Sequence, residues 1–440
     1  MNKTILMRKQ ILFLLLSAWT LCSLAQGTDT LRLSLSKCRE MAIEYNQQLK
    51  MADNAVVQAK LDREIAFANY LPKIDGQTMV GWAKDTESMG MTIMMKGFYM
   101  ADIMLQQPLY AGGRIKAGND LAKIGQQVSE EQLRLKQQEA LLETDQAYWG
   151  YVSVLQKERM LLSYQEYMSA LVDRVKVSVD AEMATGNELL RINAKKSEID
   201  YNLQKVRTGV ELCRMVLCNC IGCDLDQPIL PADNEIRVEA PEGMDDDLSE
   251  RPEMKLLDAA VNAKKKMVKL TMGEYLPSLG VGAAYMWYGG IKLKGYTEYM
   301  GTTVPYTQKM KDHLPFAMLS LNVPLWNWGE SWKKVKKARI DVQNSELERD
   351  HNKRLLSIQV RQAILNVTDG YVQIETAERG LTQAKENLRV MRDKYEAGMA
   401  TLTDLLDAQA QWQQAESNLI EAKTQYCIYK TEYLKAVGRL

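Results

Sequence analysis

Histidine is almost missing from this 440-residue chain, with His313 and His351 the only two. Two imidazoles are too few for a histidine-rich metal site, and neither has the neighbours of a catalytic pair. A phosphate-cradling loop is missing as well. Gly280-Val281-Gly282 lies inside an alternating run, and Gly112-Gly113 lacks the lysine and spacing of a P-loop. There is no excess of either charge: 56 Lys and Arg face 56 Asp and Glu, so no basic patch invites nucleic acid. Beyond the N-terminus no run of eighteen apolar residues offers a transmembrane helix. The chain therefore does not read as an enzyme and is expected to need no cofactor or metal. If it meets a membrane, it must do so with strands.

Proline is scarce in an informative way. None of the ten lies between Pro108 and Pro228, and none follows Pro324. Long stretches without proline, rich in Gln, Glu, Lys, Ala and Leu, are what long helices require. Helices over 115–180 and 331–396 would each be about 100 Å at ~1.5 Å per residue, which predicts an elongated molecule.

What is present begins with a secretory signal over 1–25. Lys3, Arg8 and Lys9 precede the apolar core Ile11–Leu16, and Ser23-Leu24-Ala25 supplies the small-residue cleavage site. Cys22 follows Trp19-Thr20-Leu21, a poor match to a lipid-attachment site. Cys213, Cys218, Cys220 and Cys223 cluster at a helix end. Without a paired C-x2-C framework they leave a soft-metal site, a disulfide and ordinary buried thiols open. Cys38 and Cys427 are placed as helical core residues. Met89, Met91, Met94 and Met95 are read as a soft, surface-facing hairpin turn rather than a copper or silver site.

The chain is organised by a repeat. Leu405, Ala408, Trp412, Ala415, Leu419, Ala422, Tyr426, Tyr429 and Tyr433 step by three and four, the pattern of a helix packed along its length on another. The passage that opens this helix, Ala397–Ala410, matches Ala181–Ala194 at seven of fourteen positions, at an offset of 216. Tyr70-Leu71-Pro72 returns as Tyr275-Leu276-Pro277, 205 residues on, and Pro108-Leu109-Tyr110 as Pro324-Leu325-Trp326, 216 on. The second hairpin is thus eleven residues longer than the first. The expected plan is a first repeat over 26–222, a linker over 223–252 and a second repeat over 253–440. Each repeat runs helix, β-hairpin, long helix, turn, helix. A helical segment is expected over Thr30–Tyr70. The hairpins are expected at about 74–106 and 279–323, with some ten alternating positions per strand and an apolar face carrying Trp82, Tyr99, Tyr285, Trp287 and Phe316. His313 is expected at a strand end.

Ten residues suffice for a tilted strand to cross a bilayer, but four strands leave open edges, so a membrane reading demands several chains around one barrel. The rival readings are a periplasmic adaptor, which should carry one helical hairpin within β-rich domains, and a secreted coiled-coil scaffold, which has no need of aromatic alternating hairpins.

These residues, with the Gly186 and Gly398 turns and the duplicated order of elements, resemble the TolC-type outer-membrane efflux proteins over essentially the whole mature chain. The resemblance implies a mainly α fold with a small β part. As a homotrimer it would form a 12-stranded outer-membrane barrel continued by a 12-helix periplasmic tube in a Gram-negative bacterium. The function implied is a passive exit duct for efflux or type I secretion. Its implied partners are a periplasmic adaptor, an inner-membrane pump and outer-membrane lipid. By the same resemblance, Asp404 and Asp407 line the pore constriction, and Glu188 and Tyr395 sit at a tip gate, where Ala400 replaces the expected basic residue. Met183, Ala184, Thr185, Gly186, Gly398, Met399, Ala400 and Thr401 form the adaptor-contact tips.

Overall fold

The structure is a computed structural model that describes residues 31–88, 91–95, 97–233, 235–300 and 302–440. The expected signal peptide, Cys22 and Met89 lie outside the described residues. The chain divides into two compact units, each drawing on both halves of the sequence.

The first unit holds the chain up to Ala52, Leu133–Pro252 and Arg354–Leu440. Its first elements are β1 (Leu31–Leu33), α1 (Leu35–Tyr45) and the start of α2 (Gln47–Ala68). The expectation of one helical segment from Thr30 is therefore corrected. Leu31–Leu33 pairs in parallel with β6 (Ile229–Pro231), inside the presumed linker, and Asn46 interrupts the helix in an extended conformation. Ser34 caps α1, its hydroxyl accepting from the Lys37 N–H. Neither feature carries a sequence period, since three residues are too few to show one.

The main helices of this unit belong to α3 (Arg114–Asp180), α4 (Gly186–Ile221), α6 (Glu330–Glu396) and α7 (Leu402–Ala436). The two long helices are 67 residues each, equal as the offsets require. Every position of the three-four repeat on α7 is buried or half-buried. Tyr164, Met168, Ile192, Leu388 and Leu405 form one core where the four helices meet. Val360, Val367, Tyr426 and Tyr433 form another. Tyr148, Tyr151, Leu217 and Cys218 pack with Leu33 and Ile229 in a third, so the β1–β6 pair seals the bundle. The acidic stretch of the linker is tied down: Asp245 meets Arg439 at 2.9 Å, and Asp246 lies 3.6 Å from Arg361.

Among the polar side chains buried in this unit, Asp145 is the most completely enclosed. The fully buried carboxylate of Asp145 on α3 accepts from Arg39 Nε at 2.8 Å and from the Thr431 hydroxyl at 2.6 Å, joining α1, α3 and α7. A buried charge is tolerated only when every partner is in place.

The second unit holds Asp53–Gln132 and Glu253–Lys353. Here α2, α3, α5 (Pro252–Gly273) and α6 lie side by side. Arg63 reaches Gln126 at 3.2 Å, Lys266 pairs with Asp120 at 2.6 Å, and Lys265 pairs with Glu346 at 2.9 Å. The sheet comprises β2 (Lys73–Gly81), β3 (Thr86–Ser88), β4 (Met91–Met94), β5 (Phe98–Ala111), β7 (Ser278–Tyr299) and β8 (Thr302–Asn322). Its body runs β2-β5-β7-β8, all antiparallel, with β3 and β4 added beside the outer part of β7. Strands β7 and β8, at 22 and 21 residues, are twice the expected length. His313 consequently lies well inside β8 rather than at its end. Met91 and Met94 belong to a paired strand rather than a turn, with Met91 Sδ 3.3 Å from the Tyr306 hydroxyl. Pro305 and Pro315 fall in β8, which is tolerable because that strand is an edge.

Replacing Arg39 with Ala should lower stability by about 2–3 kcal/mol, because it strands the Asp145 charge. Lys37→Ala, which removes an exposed pair with Glu40, should leave it nearly unchanged. Equal thermal melting points for the two variants would show that the buried network adds nothing to surface pairing.

Candidate functional site

The expected tips are the turns between α3 and α4 and between α6 and α7. Both close with the same backbone device. Met183 N–H reaches Ser178 O at 2.8 Å and Met399 N–H reaches Lys394 O at 2.7 Å, a six-to-one bond that requires a left-handed residue just before it. Gly398 takes that conformation at φ 72°. In the first tip the matching residue is Glu182, at φ 60°. Gly186 is instead the first residue of α4, following Thr185. The two glycines singled out in the sequence are thus not equivalent, and the first tip carries backbone strain that the second avoids. Met183 and Met399 are 85% and 74% exposed, presenting one thioether from each tip. Thr185, Gly186 and Thr401 are exposed beside them, with Ala184 and Ala400 half-buried.

Asp404 is held by its own helix start. The Thr401 hydroxyl accepts from the Asp404 N–H at 3.2 Å and donates to its carboxylate at 2.7 Å, while that carboxylate accepts from the Thr401 N–H at 3.0 Å. The Thr401 hydroxyl first, and then its N–H, hold the Asp404 carboxyl below the usual carboxylate range. Asp407 follows one turn on. Leu402, Leu405 and Ala408 are buried, so both acids project from the exposed side of α7.

Tyr395 and Glu188 are brought together. Burial first, and the nearby Glu188 charge next, raise the phenol above its ordinary value. The basic partner absent at position 400 enters elsewhere. Arg174 pairs with Glu396 at 3.0 Å, and Arg191 Nη1 donates to Thr403 Oγ1 at 2.7 Å, linking first-repeat helices to second-repeat ones. Sequence reasoning missed both arginines. The offset of 216 held the signal, since it sets Glu188 against Asp404 and Arg191 against Asp407.

In the sheet, the register sorts the residues into two faces. Ile74, Val80, Tyr99, Ile103, Leu105, Val281, Tyr285, Trp287 and Leu319 share one, all apolar. Asp75, Gln77, Asp102, Gly280, Gly282 and Ser320 share the other. Phe316 pairs with Ala284 and so belongs to this second face, correcting its assignment to the apolar one. The apolar face is bordered at its far end by Trp82, Tyr99, Tyr285 and Trp287. At its helix end lie Tyr110, Trp326 and Trp328, all exposed. From Leu279 to Trp287 is nine residues, close to the 9–11 of a tilted membrane strand. The second aromatic border was written in Pro-Leu-Tyr and Pro-Leu-Trp themselves. The second face borders a concavity of about 850 Å³ that also meets Lys73 and Glu274.

The six described cysteines are free thiols. The Cys223 N–H bonds Cys218 O at 3.1 Å, which sets the two residues together. Burial, with the Cys218 contact second, pushes the Cys223 thiol up to about 12. Burial likewise raises Cys38 and Cys427 to about 12. Among the described residues no group of three or more His, Cys, Asp or Glu side chains could hold a metal ion, and no helix is long and apolar enough to cross a membrane.

Two outcomes follow from this geometry. Glu182→Gly should raise thermal stability by about 1 kcal/mol and Gly398→Glu lower it by a similar amount. Identical melting points would mean that neither turn is strained. Because raised thiols become thiolates only as pH climbs toward their shifted values, iodoacetamide should alkylate the native protein far more slowly at pH 8 than the urea-unfolded chain. Equal rates in mass-spectrometric labelling would contradict the burial.

A family model described as "Outer membrane efflux protein" matches residues 39–181 and 244–439. The outer membrane efflux protein BepC of Brucella suis biovar 1 is 22% identical across 97% of this chain and 89% of its own length. The alkaline protease secretion protein AprF of Pseudomonas aeruginosa is 24% identical across 74% of this chain and 67% of its own. Among solved structures, the Campylobacter jejuni CmeC outer membrane channel superposes with a TM-score of 0.75 at 18% identity, covering 92% of this chain and 85% of that one. By the extent of the family match, this chain belongs to the outer membrane efflux protein family.

Proposed function

We propose that the mature chain, after loss of residues 1–25, is a passive, non-enzymatic exit duct that works as a homotrimer. The observation that carries this reading is the four-strand sheet body with a two-girdled apolar face and open edges at β2 and β8. In hydrocarbon each unpaired edge amide costs several kcal/mol, and closure by two further copies removes every edge by making twelve strands. The helical layer of the second unit supports the same closure, since Leu61 and Ile65 on α2 and Leu347 on α6 are 52%, 65% and 68% exposed. Such apolar positions on terminal helices suit burial against a neighbouring copy. The second face of the sheet, where Asp75, Gln77, Asp102 and Ser320 stand among Met104, Met286, Phe316 and Met318, then lines the duct.

The tips supply the partner surface. Met183 and Met399 are soft anchors for a periplasmic adaptor, with Ala184, Thr185, Gly186, Ala400 and Thr401 allowing close approach. Energy and cargo choice come from an inner-membrane pump joined through that adaptor. Three copies of Asp404 and Asp407 place six carboxylates around the aperture and favour cations there. Glu188, Tyr395, Arg174 and Arg191 hold the helices of one subunit's tip together.

The test is reconstitution of the detergent-extracted mature protein into planar bilayers after sizing. Discrete, cation-preferring channels from a trimer are expected, whereas a soluble species that never inserts would leave a secreted coiled-coil scaffold as the better account. Asp404→Ala with Asp407→Ala should raise conductance and weaken block by multivalent cations, and unchanged single-channel behaviour would exclude them from the pore. Since the Asp404 carboxyl titrates below the ordinary range, its charge is present at neutral pH and lost only as pH falls through that lowered value. Cation preference should therefore survive mild acidification, and its loss above pH 5 would contradict the cap geometry.

A further inference from the structure

Beyond Trp287 the second hairpin changes character. Tyr288 pairs with Asp312 and Ile291 with Met310, so two residues of β7, Gly289 and Gly290, oppose the single Lys311 of β8. Gly290 adopts φ 78°, where a side chain would also strike the backbone of Gly97 and Phe98. A bulge of this kind shifts the alternation of one strand by one residue. Before it, the odd positions of β7 (Leu279 to Trp287) lie on the apolar face. After it, the even positions Lys292 and Lys294 take that face, in line with His313, Lys311 and Lys309 of β8.

Four lysines thus stand in a block directly beyond the far aromatic girdle, on the face that meets lipid. Lys292 and Lys309 are directly paired across the strands. Like charges so placed destabilise a sheet unless something offsets them. All four are exposed. Among the described residues no carboxylate lies within ion-pair distance of any of them. The nearest acidic residues on the neighbouring strands are Asp85, which just precedes β3 and has an interaction of its own, and Glu87, opposite Thr92 on the far side of β4 from Lys294. Asp312 belongs to the other face and lies 3.6 Å from His313 Nδ1. Lys311 is two residues past His313, whose ring stacks on Tyr285 at 5.8 Å. At about 3.4 Å per residue and a tilt of about 40°, the block begins some 5 Å beyond the girdle and extends about 10 Å farther, which is headgroup depth.

We propose that Lys292, Lys294, Lys309 and Lys311 form a binding site for phosphate groups of the outer-leaflet glycolipid. The proposal rests on the reading of this hairpin as membrane-embedded. Its leaflet follows from the hairpin itself, because the block lies at the strand ends away from α2, α3, α5 and α6, on the external side. Lysine stems cover apolar surface while the ammonium groups reach up to phosphate, which suits a lipid boundary. The eleven extra residues of the second hairpin carry this surface, which the first hairpin does not repeat.

The experiment uses the full mature protein in detergent, with native mass spectrometry reading retained lipid. The probes are bisphosphorylated lipid A, its dephosphorylated form and inorganic phosphate. The wild type should retain bisphosphorylated lipid A at least tenfold better than the dephosphorylated form, and 10 mM inorganic phosphate should not displace it. Replacing all four lysines with Gln should abolish the preference, replacing them with Arg should preserve it, and both variants should still form channels. Equal retention of both lipids, a preference that survives the Gln variant, or displacement by inorganic phosphate would overturn the proposal while leaving the duct intact. Failure of the wild type to insert into bilayers would instead overturn the membrane reading and this site with it.

Discussion

A backbone amide at the margin of a sheet has nowhere to turn in hydrocarbon. Water cannot reach it, and side chains from its own strand point to the faces rather than the edge. Among the described residues, the sheet body of the second unit ends at β2 and β8, with no further strand paired at either margin. Below them the helical layer ends at α2 and α6 with apolar residues uncovered. The two layers are incomplete in the same way, since each has a finished middle and unfinished sides. In the proposed trimer these margins would close into a ring, whose inner face would be the one the sheet does not offer to lipid. Gly280, Gly282 and Ser320 share that face with Phe316 and Met318, a mixed surface unlike the continuous apolar one opposite.

Much of this was legible in the sequence because it depends on periods. Helical repeats of three and four located α7 and its partners, and the absence of proline together with the glycine-bearing turns marked out α3 and α6 as long helices. The features that stayed hidden are those without a period. β1 is three residues long and pairs with a strand almost two hundred residues away, and nothing local distinguishes it from the start of α1. The Asp145 network is likewise invisible, because an acid in a helix looks the same whether it meets water or Arg39 and Thr431. In β7 the alternation was seen, but a bulge at Gly289-Gly290 inverts its phase, so a face assigned from the first half is wrong for the second. Phe316 was misplaced for a simpler reason: without the register, an aromatic residue in an amphipathic strand is assigned to the apolar face by default.

The duplication explains both what repeats and what does not. Two copies of one plan need only agree where the backbone does the same thing, and the six-to-one closure of both tips is such a place. Side chains are free to diverge there. Glu182 occupies a left-handed position that Gly398 occupies without cost, and the second copy has a reciprocal helix cap where the first has none. The second tip is therefore the better-determined of the two, with its first turn fixed by Thr401 and Asp404 together.

That asymmetry bears on how the two acids of the second tip divide their work in the proposed pore. Asp404 is not a free charge, since two hydrogen bonds from Thr401, one from its hydroxyl and one from its N–H, orient the carboxylate and favour its ionised form. Its charge is fixed in place and robust to acid. Asp407 has no such cap and lies one turn farther along the exposed side, where the first repeat carries Arg191 instead. Arg191 is itself occupied, donating to Thr403 between the two acids in sequence. In the proposed trimer, three fixed negative charges, three less constrained ones and three arginines beside them would together act as a charge-selective filter. Such a filter would discriminate by charge at the tip, with Asp404 setting its fixed component.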